Sequence, residues 1–375
     1  MMPTSKGRRG NVQTLHCRMT QIHNFGAGPT GLPLAVRERL AESFQVPLDH
    51  SPSLLEVSHR GGRFLEVATR LRSGLRTLFG LGDSHELLLM SGGAQLQFAL
   101  LPMNLAAEGS AAYLESGHWS KTAIAQARAV ARVEVVGSGA ENGFTTLPTF
   151  GAIPTDAAYL HYCGNETIHG VQFVSPPRSP ARNVPVIADL SSEIFSRPYP
   201  FAELGVVYAS AQKNLGIPGL TVVAIRRDLL DRVPKSLPPI LSYRSWSEAE
   251  SMPNTPVTAA WLVTMEMVEW IQREGGLSEM AARSKAKATL LYECLDRHAC
   301  FQPPVAREAR SSMNVVFRLE DRTREPAFLK AANEAGFLGL EGHRAVGGIR
   351  VSLYNPVELQ SVQRLVAFLD EYARS

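Results

Sequence analysis

Cysteine is scarce in this chain. Four occur in 375 residues, at Cys17, Cys163, Cys294 and Cys300, and none stands in a C-x-x-C pair. That density excludes a disulfide scaffold and suits a reducing compartment, so a cytoplasmic setting is expected. An excess of one charge is also lacking, since 38 basic and 35 acidic residues leave +3. With no block of like charge, nucleic acid is not an expected partner. No apolar run approaches the roughly 18 residues that would span a bilayer, so neither is a membrane. The opening residues, MMPTSKGRRGNVQTLHCRM, are basic but hold no continuous apolar stretch. They make a poor secretory leader, and residues 1–18 read as a flexible tail, with Met19 as an alternative start. Internal repeats and low-complexity tracts are missing. So are G-x-G-x-x-G and the P-loop, which counts against a nucleotide-binding module.

What is present is an ordinary globular composition, 45% hydrophobic and 19% charged, long enough for two domains. From about residue 35 to 275, short apolar runs alternate with helical patterns. Residues 86–90, 111–114, 158–162, 184–188, 205–209 and 220–225 read as strands, and 94–106 as a helix that opens directly after Gly92-Gly93. Strands apolar on both faces and separated by helices predict a mostly parallel sheet covered on both sides. Thr255-Pro256 reads as the N-cap and first position of a long helix that Gly275-Gly276 ends. A second helix, from Ser278 to about Arg297, leads into a smaller α+β pattern. The expected organisation is α/β, with a large domain over 19–275 and a small C-terminal domain over 276–375.

Three features fall at the ends of apolar runs. Asp189 closes 184-VPVIAD-189, where a carboxylate needs a cation or a donor, or serves as a turn or cap residue. Gly92-Gly93 offers close approach to backbone N–H groups at a helix start, or simply a turn. Lys213 lies in 209-ASAQKNLGIPGL-220 between two strands, among small residues. It is either a loop lysine bonded to carbonyls or an amine held to condense with a carbonyl cofactor. In open α/β sheets ligands gather beyond the carboxyl ends of the strands, and all three features belong to that edge. Pyridoxal 5'-phosphate asks for this set: a lysine for its aldehyde, an acid for its ring nitrogen and a helix start for its phosphate. Trp119 offers a flat face for the ring, or core packing. Thr167 offers a hydroxyl for the ring's phenolic oxygen, or turn chemistry.

Seven segments carry a wider likeness: 24-NFGAGPTGLP-33, 56-EVSHRG-61, 161-HYCGNETIHG-170, 187-IADLSSEIFSRP-198, 208-YASAQKNLGIPGLT-221, 253-PNTPVT-258 and 341-EGHRAVGGIRVSLYN-355. Through them the chain resembles the phosphoserine aminotransferase family, within the class V aminotransferases of PLP fold type I. The resemblance implies that Lys213 takes the cofactor and moves the proton, and that Asp189 meets the ring nitrogen. It implies that Trp119 stacks on the ring and Thr167 meets the phenolic oxygen. Backbone groups of Ala94 and Gln95, with the Gln212 side chain, would hold the phosphate. Asn254 and Thr255 would reach that phosphate across a homodimer interface. Arg350 would clamp the substrate α-carboxylate, and His59, Arg60, His343 and Arg344 would receive the substrate phosphate. The implied reaction moves an amino group between L-glutamate and 3-phosphohydroxypyruvate, in serine biosynthesis. A second phosphorylated acceptor, 3-hydroxy-2-oxo-4-phosphobutanoate of pyridoxine biosynthesis, is also implied for the family. A cysteine desulfurase is the alternative within the same cofactor class. One departure stands out: the family's glycine-rich turn often reads G-G-G-R-G-Q-F, and here Gln95 removes the arginine.

Overall fold

The computed structural model describes residues 21–45, 52–107, 109–179 and 183–374. The expectation of a tail over 1–18, Cys17 and Met19 lie outside the described residues. Seven strands form the main sheet. In spatial order they are His85–Ser91, Leu220–Arg226, Val206–Ser210, Val186–Asp189, Ala157–Cys163, Ser110–Glu115 and Arg132–Ser138. All run parallel except Leu220–Arg226, which is antiparallel to both neighbours.

Alternate side chains explain the continuous apolar runs. Leu87, Leu89, Ala112, Leu114, Leu160, Val207 and Val222 enter one core. Their immediate neighbours Leu88, Met90, Ala111, Tyr113, Tyr159, Val206 and Val223 enter a second core on the other face. Both faces are therefore dry, as a period-2 backbone with apolar residues at every position requires. The helices Gly62–Phe79 and Thr258–Arg273 cover the first face, and Ala94–Leu105 and His118–Arg128 the second. Gly74 lets the first pair approach closely, since a Cβ there would sit 2.5 Å from Val268 Cγ1.

The reversed strand decides where Lys213 sits. Val206–Ser210 and Leu220–Arg226 pair directly, Thr221 opposite Ser210, so the nine residues between them return the chain at the carboxyl edge of the parallel strands. A short return of this kind suits an antiparallel partner, whereas a parallel one needs a crossover. The Gly92 N–H donates to Gly219 O at 3.1 Å and ties this loop to the glycine turn after Ser91.

Two sequence expectations need correcting. The edge strand Arg132–Ser138 was not expected. It alternates Val133 and Val135, the first half-buried and the second exposed, with Arg132 and Glu134, and charge on an exposed edge blunts the apolar signal. The long helix begins at Thr258 with Val257 at its N-cap position and no side-chain cap. Thr255 therefore does not cap it. Pro256 is buried and Val257 is non-helical at φ −73°, ψ 84°, so the chain stays irregular for two more residues.

A three-stranded sheet, Phe301–Gln302, Asn314–Leu319 and Ile349–Ser352, packs with Gly276–Arg297, Glu325–Glu334 and Leu359–Tyr372 around a third core. An N-terminal strap joins this core. His23–Asn24 pairs in parallel with Phe337–Leu338, and Phe25 is fully buried there. Lys287 is 1% exposed and donates to the carbonyls of Leu353, Tyr354 and Val357 at 2.8–2.9 Å. Three acceptors match the three N–H groups of an ammonium.

Candidate active site

The carboxyl ends of the strands and the Lys213 loop enclose a cavity of about 310 Å3. Ala94, Gln95, Trp119, Thr167, Asp189, Gln212 and Lys213 all line it, with Ser210, Asn165, Ser191 and Ser192. Seven predicted residues from five separated segments thus meet in one place.

Each is positioned by local structure. Asp189 is the last residue of its strand, and its carboxylate Oδ1 accepts the Ser191 N–H at 2.9 Å. The Lys213 amine donates to Thr167 Oγ1 at 3.0 Å and stands 5.7 Å from the Trp119 ring centroid. Asn214 pins the next residue, donating to Ile194 O at 3.0 Å and accepting the Asn355 N–H at 2.9 Å. The strap passes beneath, and a Cβ on Gly28 would lie 3.6 Å from Lys213 Cγ. Gly28 also has φ +130°, which side chains seldom adopt.

Burial dominates the electrostatics. It pushes the Lys213 amine below the ordinary lysine value; Asp189 opposes this, and the positive charge of Arg350 adds to it. Burial likewise raises the Asp189 carboxyl, against the pull of Ser191 and Lys213. Both shifts run toward the neutral forms.

Glu166 is a functional residue that sequence reading missed. It is fully buried, and its two carboxylate oxygens accept the N–H groups of Trp119 at 2.9 Å and Ser120 at 2.8 Å. It therefore caps the first turn of His118–Arg128 from 46 and 47 residues downstream, and places Trp119. Three residues on, His169 Nδ1 accepts the His118 N–H at 3.3 Å. Gly117 is required beside this carboxylate, because a Cβ would come within 2.6 Å of Glu166 Cδ. Glu166→Ala leaves two buried donors bare and is expected to cost about 2–4 kcal/mol in a denaturant titration. Glu166→Gln keeps one acceptor and should lose less. Equal stability of Glu166→Ala and the parent would remove the capping role.

Arg350 stands near this group on the strand Ile349–Ser352, and its Nε is buried without a partner. His343 stacks obliquely on His118 at 5.2 Å, which in turn lies 5.3 Å edge-on to Trp119. Burial, His118 and His343 together hold His169 down at about 4. Burial also lowers His343, helped by His118, Arg350 and Arg344. The guanidinium groups of Arg350 and Arg344 make this side positive, so the cluster is receptive to an anion. Arg344 is exposed next to His343.

The other predicted residues lie apart from the cavity within one chain. His59 and Arg60 touch each other, Arg60 Nε donating to His59 Nε2 at 3.4 Å, before the helix Gly62–Phe79. Asn254 and Thr255 are exposed. The Ala94 N–H, expected to be open to a phosphate, instead donates to Ser210 Oγ at 2.8 Å. The strand-end serine thus sits at the helix start and brings a hydroxyl that the sequence reading omitted.

Pyridoxal 5'-phosphate fits the residues present. Trp119 Nε1 is a buried donor without a partner beside the cavity, the helix Ala94–Leu105 opens into it behind a glycine N-cap, and Lys213 and Asp189 enter from separate sequence segments. Among the described residues the cavity is offered no nucleophilic cysteine: Cys163 is 1% exposed, and burial raises its thiol well above the ordinary value. That removes the residue a desulfurase would need at this cavity.

Known proteins agree with this geometry. The family described as Aminotransferase class-V matches residues 22–365. A phosphoserine aminotransferase of Nitrosomonas europaea is 41% identical over 366 residues, covering 95% of this chain and all of the relative. The solved phosphoserine aminotransferase of Bacillus circulans subsp. alkalophilus superimposes with a TM-score of 0.90 at 38% identity, over 94% of this chain and 99% of that one. A solved PLP-bound phosphoserine aminotransferase from Trichomonas vaginalis gives 0.88 at 34% identity, over 93% and 100%.

Proposed function

The chain belongs to the class V aminotransferase family, and from that premise we propose a reversible transamination between L-glutamate and 3-phosphohydroxypyruvate, yielding O-phospho-L-serine and 2-oxoglutarate. The observation that carries this reading is the Lys213 amine, enclosed with Thr167, Asp189 and Trp119, while the unpartnered Arg350 Nε stands near. Pyridoxal 5'-phosphate supplies, when bound, the aldehyde that accepts the amino group and a ring that takes up the electron pair of the broken Cα–H bond.

This chain's residues do the rest. Lys213 removes the Cα proton, which requires a neutral amine, and burial favours that form. The Thr167 hydroxyl accepts a hydrogen bond from the free amine and sets where it points. Asp189 keeps the cofactor ring nitrogen protonated by giving it an anionic partner. Trp119 covers the ring, and Glu166 keeps Trp119 in position. Gln95 and Gln212, with Ala94 and Ser210 at the helix start, hold the cofactor phosphate. Arg350 grips the substrate carboxylate as a planar fork.

The remaining groups complete the site in a homodimer. His59, Arg60, Asn254 and Thr255 of a second copy reach over the cavity of the first, and the substrate phosphate rests among His59, Arg60, His343 and Arg344. The side-chain carboxylate of glutamate uses the same basic pocket, so one site serves both half-reactions in ping-pong order. No helix among the described residues is long and apolar enough to cross a membrane. The reading includes a cytoplasmic enzyme of serine biosynthesis.

A panel of amino donors and keto acids, with both phosphorylated acceptors included, tests the reaction. Failure to turn over 3-phosphohydroxypyruvate would overturn it. Arg344→Ala is expected to weaken that acceptor by about 10–100-fold in kcat/KM, the value of one charge-assisted contact, with little effect on a non-phosphorylated analogue. Equal loss on both would take Arg344 out of the phosphate site.

A further inference from the structure

Away from this site, three side chains of different chemistry converge where two helices end. Cys294 and His298 stand four residues apart at the end of Gly276–Arg297, and Asp370 lies in the last turn of Leu359–Tyr372. One donor atom from each falls within 4.8 Å of the others. Asp370 Oδ1 is 3.6 Å from Cys294 Sγ and 2.7 Å from His298 Nε2. We propose that Cys294, His298 and Asp370 bind a thiophilic divalent cation of the zinc class, with water at the fourth position.

The donor set is one that such ions select: a thiol sulfur, an imidazole nitrogen and a carboxylate oxygen. Tetrahedral coordination at ordinary bond lengths places ligand atoms about 3.3–3.6 Å apart. The sulfur–oxygen separation already matches this, and the imidazole and carboxylate need to part by less than about 1 Å. The carbonyl ends of two helices meet here, and their partial negative charge favours a cation. A thiolate and a carboxylate neutralise its two charges. The entering ion replaces the Cys294 thiol proton, which leaves to solvent, so binding releases one proton.

Access is from one side. Cys294 is buried at the base, whereas the side chains of His298 and Asp370 are 20% and 22% exposed and form the mouth. The edge of Phe301 packs on the His298 ring at 6.1 Å and fixes its plane. Arg297 Nη1 lies 3.4 Å from Asp370 Oδ1 and competes with a cation. Its side chain is 58% exposed and can turn into solvent. Without an ion, the same groups form a His298–Asp370 pair, and the test separates these two states.

The holoenzyme, stripped with a chelator and titrated with Cd2+, is expected to gain a thiolate-to-metal charge-transfer band that saturates at one equivalent per chain. Cys294→Ser should abolish the band, and Asp370→Asn should weaken Cd2+ binding by at least about 100-fold. Cys300→Ser and Cys163→Ser should leave the band intact. Excess Zn2+ should raise the Tm of the parent by on the order of 5 °C and that of Asp370→Asn by much less. Asp370→Asn is isosteric at a side chain that reaches the surface, and keeps the fold testable if Cys294→Ser does not. No band, a band that survives Cys294→Ser, or one lost with Cys163→Ser or Cys300→Ser would overturn the site.

Discussion

Lys213→Ala is expected to lower steady turnover by at least about 10⁴-fold and to remove the visible absorbance of the bound cofactor. The size follows from two losses at one atom. The amine both bonds the cofactor and carries the proton, and general base catalysis alone contributes up to about 10⁴-fold. The Thr167 hydroxyl, 3.0 Å away, cannot replace it, because at neutral pH it is not a base. Lys213→Arg should fail equally, since guanidinium stays protonated. A small primary amine added to Lys213→Ala should restore part of the activity, because the cavity left by the side chain opens on the same partners. Turnover by Lys213→Ala at the parental rate would end the assignment.

Asp189→Asn is the second large effect, and it should separate activity from stability. Removing the anionic partner of a buried cation costs about 3–5 kcal/mol, or roughly 10²–10⁴-fold in kcat. The cofactor-free protein should respond the other way. Burial raises the Asp189 carboxyl above its unfolded value. The unfolded chain therefore releases this proton first, and stability falls as pH rises through the ordinary carboxylate range up to the folded pKa. Above that range the charged form is a burden in the cofactor-free fold. Asn should thus match or exceed the parental Tm in thermal melts of cofactor-free protein at neutral pH. A large drop in that Tm would show that Asp189 supports the fold rather than the chemistry. This is the trade in which a site keeps a group that its own interior disfavours.

These two residues were legible in the sequence because each breaks a pattern. Asp189 ends an apolar run, and Lys213 interrupts a strand–turn–strand motif among small side chains. The core strands were legible for the related reason that apolar residues fill both faces. Glu166 carried no such mark: its partners, Trp119 and Ser120, precede it by 47 and 46 residues, so no local capping pattern exists. Ser210 was hidden likewise, since its bond to Ala94 spans 116 residues. The helix start at Thr258 was misread because Thr-Pro is a strong local signal, and the burial of Pro256 outweighs it. His59, Arg60, Asn254 and Thr255 stand apart from the cavity, and their proposed roles wait on a second chain.

The strap from His23 to Thr30 has a consequence for synthesis. Phe25 donates its N–H to Leu338 O, its carbonyl accepts from Ser352, and Thr30 bonds to Gln212 O. The Tyr354 hydroxyl donates to Ala27 O at 3.1 Å. These early residues leave the ribosome more than 300 positions before Phe337, Ser352 and Tyr354. Apart from the Thr30 bond to Gln212, these pairings wait until about the last tenth of the chain is being made. The sheet can condense beforehand, with Thr30 able to bond Gln212, but the strap cannot be held from its other side until then. The strap beneath Lys213 is thus held on both sides only late in synthesis, after the cavity-lining residues have all been made.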